Sequence, residues 1–242
     1  MAAVAIMKRL RVIYREPIDL LTTPHCAAAV PLLMEELELI GSVSIQEDYR
    51  PTATQPGLQP IALPIPRELL RDGHRDVFHL GFRRFPLPHE DLAACMGSSY
   101  GLADWAGGPW LRPARLDKRG HIVAHAPVEQ QENQAPLREL LAQVRGRDVV
   151  IVGTSREFVI YQQMELDQIP GVTLRHVDNC LDIWEACQGA AGFTGISSSP
   201  AMVCAGAGLP SKWVLQRGGN SWCAPRGCDV RIIGEVRAVG PN

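Results

Sequence analysis

The sequence predicts an α/β protein of two Rossmann-like domains, whose parallel sheets face a central cleft. Three observations lead to this prediction. The chain has 242 residues, which suits two domains of roughly 100–150 residues each. Short apolar runs alternate with segments of helical length, as in βαβ units. A Gly- and Pro-rich segment at 107–118 separates a first domain, 1–116, from a second, 117–242.

Composition narrows the class of protein. The chain is 46% hydrophobic and 21% charged, so it can bury a core and is not expected to be disordered. A formal charge of −2 argues against a nucleic-acid-binding polyelectrolyte. The apolar runs are shorter than the ~18 residues of a membrane span. The N-terminal charges follow a very short apolar stretch, unlike those of a secretory signal, so a cytoplasmic location is expected.

The first half alternates less regularly than the second. Its predicted strands are Leu10–Tyr14, Ser42–Ile45 and Asp76–Leu80. The segment Asp19–Leu39 has helical length, with Pro24 and Pro31 at an early turn and a kink, and His89–Met96 is a short helix. Five prolines between Arg50 and Pro66 indicate an extended connection.

The second half repeats the alternation clearly and predicts a parallel sheet. Its strands are predicted at His121–His125, Val149–Val152, Val172–Arg175, Ala190–Thr194 and Lys212–Leu215. Its helices are predicted at Ala135–Val144, Arg156–Leu166, Leu181–Gln188 and Pro200–Ala207.

Ligands of open α/β sheets bind beyond the carboxyl ends of the strands, and three loops with suitable chemistry follow predicted strands. In the first, Asp19 precedes a predicted helix, where it can take a proton from an acceptor hydroxyl or simply cap the helix. In the second, Thr154, Ser155 and Arg156 follow the strand VVIV. This loop suits either an anion or a helix cap completed by a following acid.

The third loop holds Ser197, Ser198 and Ser199 before Pro200, which stands near the start of a predicted helix. Hydroxyl groups and first-turn N–H groups make this loop a candidate anion site, although an ordinary N-cap has the same composition. Neither GxGxxG nor GxxxxGK[ST] occurs, so no dinucleotide fingerprint or P-loop is expected.

The seven cysteines are odd in number and lie in apolar segments, which indicates reduced thiols. Cys223 and Cys228 form CAPRGC, but a zinc site needs two further ligands, and the nearest histidine, His176, is distant in sequence. No metal is therefore expected.

The segments DLLTTP, VVIVG and SSSPAMVCAGAGLP together resemble glycosyltransferase family 9, the ADP-heptose:lipopolysaccharide heptosyltransferases, over residues 8–216. The resemblance implies the GT-B fold. The family's N-terminal loop reads GD-x-x-x-x-TP, and its Asp is the proposed base. Thr23 and Pro24 match the end of this pattern, whereas Asp19 lies one residue nearer to them.

The family's C-terminal signature is D-[ST]-G-P-x-H-x-A-x-A-x-G-x-P, and this chain keeps its spacing. Ser197 stands in place of the Asp and Met202 in place of the His. The Lys that usually follows the first strand of the second domain is also absent. The family runs about a hundred residues longer, so this chain resembles a shortened version.

The resemblance implies an enzyme that transfers a sugar from a nucleotide-sugar donor to an acceptor hydroxyl without a metal or another cofactor. Asp19 would be the base, with Thr22 and Thr23 on the acceptor side. His176 would line the nucleotide-base pocket. The donor's phosphates would contact the two later loops, whose residues are Thr154, Ser155, Arg156, Ser197, Ser198 and Ser199.

Two alternatives remain open. The chain could be a non-catalytic binding or assembly module on the same fold, since it lacks the family's Asp, His and Lys. It could also be a transferase that modifies nucleic acid, with its phosphates met by the cluster Arg112, Arg115, Lys118 and Arg119. The acceptor is accordingly expected among saccharides, lipid-linked saccharides and nucleic acids.

Overall fold

The computed structural model describes residues 3–22, 24–36, 40–45, 109–196, 198–215 and 229–232. The predictions for Arg50–Pro66, Asp76–Leu80 and His89–Met96 lie outside these residues. In the part that is described, the chain is an α/β protein with parallel sheets. No helix there is long and apolar enough to cross a membrane.

The first described element corrects a prediction. Leu10–Tyr14 is not a strand but the end of helix α1 (Ala3–Tyr14). Val4, Met7 and Leu10 are buried at intervals of three residues, so they lie on one helical face. Packing of this face outweighs the strand preference of the β-branched residues that follow.

The segment 19–39 is also not one helix. Strand β1 (Ile18–Thr22) pairs in parallel with β2 (Ile40–Ile45). A 3-10 helix at Pro24–Ala29 and helix α2 (Val30–Glu35) provide the crossover that parallel strands require. Strand β2 contains the predicted strand Ser42–Ile45, which is confirmed.

All six strands of the larger sheet are parallel, and five of them were predicted. They are β3 (Ile122–His125), β4 (Val149–Gly153), β5 (Val172–His176), β6 (Gly192–Gly195), β7 (Ser211–Leu215) and β8 (Asp229–Ile232). Their spatial order is β5-β4-β3-β6-β7-β8. This is the Rossmann order, in which the first strand lies in the middle and the direction of winding reverses beside it.

Four α-helices in the described residues of the second half agree with the predicted positions. They are α3 (Gln134–Gln143), α4 (Ser155–Gln163), α5 (Cys180–Ala186) and α6 (Ser199–Gly206). Helices α3 and α4 share one hydrophobic cluster with Ala124 and Ile151 of the sheet. Helices α5 and α6 share another cluster with Val123 and Phe193. Alternate strand residues therefore enter two cores, one on each face of the sheet.

The second of these cores also joins the two halves of the chain. Val4, Leu32 and Ile40 from the first half belong to it, together with Trp110 and Leu111 from the segment 109–118. The backbone of that segment is held by α6, because Leu111 N–H donates to the Gly206 carbonyl at 3.0 Å. Ala114 N–H likewise donates to the Ala207 carbonyl at 2.9 Å.

Candidate functional site

The carboxyl ends of four adjacent strands bring several polar side chains to one edge of the larger sheet. The strand order there is β5-β4-β3-β6, and the winding reverses between β3 and β6. Helices leave in opposite directions at such a switch point, and the crevice between them is where ligands of open α/β sheets bind. The side chains that follow β3 and β6 therefore form the centre of the candidate site.

His125 is the last residue of β3 and is only 4% exposed. Its Nδ1 atom lies 2.9 Å from Ser198 Oγ, and its Nε2 atom lies 3.1 Å from Glu157 Oε1. Both ring nitrogens of this buried imidazole are thus within hydrogen-bond distance of a polar side chain. Close packing of β6 against β3 helps to form the site, because a Cβ atom at Gly195 would collide with the main-chain oxygen of His125.

Glu157 connects this network to the start of α4. Its Oε2 atom accepts hydrogen bonds from Thr154 N–H at 2.9 Å and from Thr154 Oγ1 at 3.1 Å, and these contacts belong to a capping box. Burial by itself raises the pKa of Glu157, but the hydrogen bond and charge of His125 lower it, as do the bonds from Thr154. The net pKa lies below the ordinary value, so the carboxylate is ionised at neutral pH.

Ser198 is the N-cap residue of α6, but its side chain makes no capping hydrogen bond within the helix. The half-buried hydroxyl contacts His125 instead. Met202 N–H makes a backbone bond to the Ser198 carbonyl, and the N–H groups before it belong to the unpaired first turn typical of helices. Ser198 therefore lies between a buried imidazole and a helix N-terminus.

The loop after β4 has the capped arrangement that its sequence allows. Thr154 caps α4, and its hydroxyl and N–H are both engaged by Glu157. Ser155 is exposed, and its Oγ lies 2.8 Å from Nε2 of His176, the last residue of β5. Arg156 is exposed in the first turn of α4. The predicted donor-side residues Thr154, Ser155, His176 and Ser198 thus share one edge of the sheet.

The first-half residues lie on the smaller sheet. Asp19 is inside β1 and not at a helix start, so its assignment as a possible helix cap was wrong. Its exposed carboxylate accepts a hydrogen bond from Ser42 Oγ at 2.6 Å, and Gly41 leaves room for it. Thr22 ends the same strand. Thr23 and Ser197, which were also predicted site residues, lie outside the described residues.

Sequence reasoning missed His125 and Glu157. His125 ends the predicted strand HIVAH, and a histidine at the carboxyl end of a central strand was the available signal. Glu157 was noticed only as the acid of a cap. Its second contact could not be foreseen, because it depends on the neighbouring positions of β3 and β4 in the sheet.

A further buried side chain in the middle of this edge, Tyr161, is neutral. Tyr161 donates to the main-chain carbonyls of Ala126 and Val152 at 3.3 and 3.2 Å. Burial, together with the charge of Glu157, raises the pKa of Tyr161 far above the neutral range. Among the described residues, no group of three or more His, Cys, Asp or Glu side chains is arranged to hold a metal ion.

Comparisons with known proteins show a likeness at the level of structure. No protein-family model matches the sequence, and no curated protein matches it significantly. The fold is similar to the crystal structure of the glycosyl transferase family 9 protein from Veillonella parvula DSM 2008, with a TM-score of 0.66. The match covers 96% of this chain and 81% of that one, at 11% sequence identity. The resemblance to glycosyltransferase family 9 is therefore confirmed for the fold.

Proposed function

We propose that this protein is a glycosyltransferase that moves a sugar from a nucleotide-sugar donor to an acceptor hydroxyl without a metal ion. The observation that carries the proposal is the Ser198–His125–Glu157 network at the switch point of the larger sheet. A bound diphosphate needs hydrogen-bond donors and positive charge as the sugar leaves it. Ser198 and the first turn of α6 provide the donors in this proposal.

In this proposal the two halves of the chain bind the two substrates. Domain 117–242 binds the donor, with Ser197, Ser198 and Ser199 at the diphosphate. Ser155 and Arg156 lie further along the same edge, and His176 beside Ser155 is assigned to the nucleotide base. Domain 1–116 faces it across a cleft and binds the acceptor near Thr22 and Thr23.

Asp19 is the proposed general base. Its carboxylate is exposed on β1 and is oriented by the hydroxyl of Ser42 at 2.6 Å. In transfer, Asp19 takes the proton of the acceptor hydroxyl, the acceptor oxygen bonds to the anomeric carbon, and the bond to the donor's phosphate oxygen breaks. The nucleoside diphosphate then leaves with its electron pair.

A panel of UDP-, GDP-, ADP- and CMP-linked sugars tests the donor site by thermal unfolding. A ligand at a hundred times its Kd stabilises the folded state by about 2.7 kcal/mol. For a chain of this size the expected rise in Tm is roughly 5–10 °C. Ser198→Ala should weaken binding by about 1.5–3 kcal/mol, the usual size of a hydrogen bond to a charged group. Thr173→Ala is the matched control, because this exposed hydroxyl lies on edge strand β5.

Each outcome of the panel separates the candidate functions. Binding of a donor together with sugar transfer or donor hydrolysis supports the enzyme. Binding without either reaction favours the binding module. If no donor raises Tm, or if Ser198→Ala and Thr173→Ala have equal effects on affinity, the proposed donor site is wrong.

A further inference from the structure

The positions of two protons in the Ser198–His125–Glu157 network follow from counting donors and acceptors. An ionised carboxylate can only accept, and Glu157, which already accepts from Thr154 N–H and from Thr154 Oγ1, is ionised at neutral pH. The 3.1 Å contact between Glu157 Oε1 and His125 Nε2 is therefore a hydrogen bond in which Nε2–H donates. A neutral His125 consequently carries its proton on Nε2 and has a lone pair on Nδ1.

The lone pair on Nδ1 determines which way the Ser198 hydroxyl points. At 2.9 Å from an acceptor nitrogen, Ser198 must donate its hydrogen to His125, and its remaining oxygen lone pairs face the crevice. When His125 takes up a second proton, Nδ1–H donates to Ser198 Oγ. The hydroxyl hydrogen of Ser198 is then released to point into the crevice.

These two states have opposite effects on an anion. In the neutral state, lone pairs of Ser198 face the ligand and the His125–Glu157 pair has a net negative charge. In the protonated state, Ser198 offers a hydrogen-bond donor and the pair is neutral. We infer that the donor's diphosphate binds with uptake of one proton by His125, which positions Ser198 as a donor. This inference rests on the proposed function and adds to it the protonation state of the anion site.

The charged groups around His125 leave Glu157 as its main electrostatic partner. Tyr161, on the same helix as Glu157, stays neutral. Arg138 of α3 donates to the Met164 carbonyl at 2.8 Å, which holds its guanidinium at the far end of α4. The described residues of β6 and of the first turn of α6 include no ionisable side chain. Protonation of His125 is therefore balanced by Glu157 on one side and by the bound anion on the other.

Glu157→Gln should reverse the hydrogen bond between His125 and Ser198, because Thr154 determines the orientation of the new amide. Thr154 N–H needs an acceptor, so the amide oxygen of Gln takes the place of Oε2, and its NH2 group faces His125 Nε2. A neutral His125 must then carry its proton on Nδ1 and donate to Ser198. The variant should hold Ser198 in its anion-binding orientation at every pH, while Gln still completes the capping box.

The experiment is calorimetric titration with UDP-glucose, GDP-mannose and ADP-glucose between pH 6 and 8.5, in pairs of buffers with different ionisation enthalpies. These diphosphate diesters lack the phosphate ionisation near pH 6 that a monoester has, so they do not titrate themselves. The wild type should take up close to one proton per ligand towards the upper end of this pH range. Its affinity should fall about tenfold for each further pH unit.

The variants make the expectation specific. Glu157→Gln should bind with little pH dependence and, at pH 8.5, at least about tenfold more tightly than the wild type. Glu185→Gln is the matched control, because Glu185 is an exposed carboxylate paired with Arg175 at 3.1 Å, and it should behave like the wild type. Nitrogen-15 NMR of the ligand-free proteins should show His125 with its proton on Nε2 in the wild type and on Nδ1 in Glu157→Gln.

Three results would overturn the inference alone: binding without proton uptake, a wild-type tautomer protonated on Nδ1, or an unchanged pH dependence in Glu157→Gln. Failure of all three nucleotide sugars to bind at any pH would overturn the proposed donor site together with the inference. Proton uptake and the tautomer are measured on the wild type, so both remain decisive if the variant does not fold.

Discussion

Glu36→Ala should destabilise the protein far more than the same change at its neighbour Glu35. Glu36 follows α2, and its side chain is only 3% exposed. The carboxylate accepts hydrogen bonds from Lys8 Nζ of α1 at 3.0 Å and from the backbone N–H of Arg112. One side chain therefore connects α1 and α2 to the segment that runs along α6.

The expected decrease in the free energy of unfolding follows from the interaction that each partner of Glu36 loses. Removal of the carboxylate takes away the acceptor of Arg112 N–H, and the loss of a hydrogen bond to a charged group costs about 1.5–3 kcal/mol. Lys8 is 31% exposed and can return to solvent, so its ion pair adds at most about 1 kcal/mol. The sum is about 1.5–4 kcal/mol, which corresponds to a fall in Tm of roughly 3–16 °C for a chain of this length.

Urea unfolding of Glu36→Ala, Glu36→Gln and Glu35→Ala separates the contribution of the Arg112 hydrogen bond from that of the Lys8 ion pair. Gln keeps an oxygen for Arg112 N–H and loses only the ion pair, so its cost should stay below about 1 kcal/mol. Glu35 is exposed, and its replacement should change the free energy of unfolding by less than about 0.5 kcal/mol. Equal effects of Glu36→Ala and Glu35→Ala would refute the reasoning.

Three further predictions test other parts of the molecule. Asp19→Asn should lower turnover by about 10²–10⁴-fold while donor affinity changes little, and unchanged turnover would remove Asp19 as the base. The pKa of Glu157 is lowered on folding, so its contribution to stability is present above about pH 4.5 and is lost as pH falls through the folded value. Acid unfolding of Glu157→Gln should lack that component. Cys26→Ser should remove one fast-reacting thiol from the native protein and Cys187→Ser none, because Cys26 is exposed and Cys187 is buried.

The second half of the fold was predictable because each of its elements has a strong local signal. Parallel strands buried on both faces read as continuous apolar runs, and VVIVG is such a run. Caps mark the helix starts, as Thr154 does for α4 and Asn179 for α5. The Rossmann order then follows from right-handed crossovers between neighbouring strands. The sixth strand, Asp229–Ile232, has no comparable run and was not predicted.

The first half was less predictable because local preference and packing disagree there. The run LRVIY favours a strand by composition, yet it ends a helix whose buried face begins six residues earlier at Val4. Residues 19–22 of the strand IDLLT lie within the predicted helix Asp19–Leu39, and their Leu-rich composition suits either structure. Its partner is β2, and long-range pairing of this kind leaves no periodic trace in the sequence.

The candidate site was predictable only where its residues belong to loops. Serine and threonine residues after a strand draw attention by type, and Ser198 and Thr154 were found in this way. A buried histidine inside an apolar strand looks like a core residue, and a glutamate in the first turn of a helix looks like a cap. His125 and Glu157 have both of these ordinary roles and also meet each other at 3.1 Å. This contact depends on tertiary structure alone.

Glu157 also reduces the number of candidate anion sites on this edge of the sheet from two to one. The sequence offered two helix starts for a phosphate, one at α4 and one at α6. At α4 the carboxylate of Glu157 already accepts Thr154 N–H and repels a further anion from that turn. At α6 the N-cap residue Ser198 makes no capping hydrogen bond, and its hydroxyl contacts the imidazole that Glu157 also contacts. The same carboxylate therefore occupies one helix N-terminus and, through His125, is connected to the hydroxyl at the other, which favours α6 as the proposed site of the diphosphate.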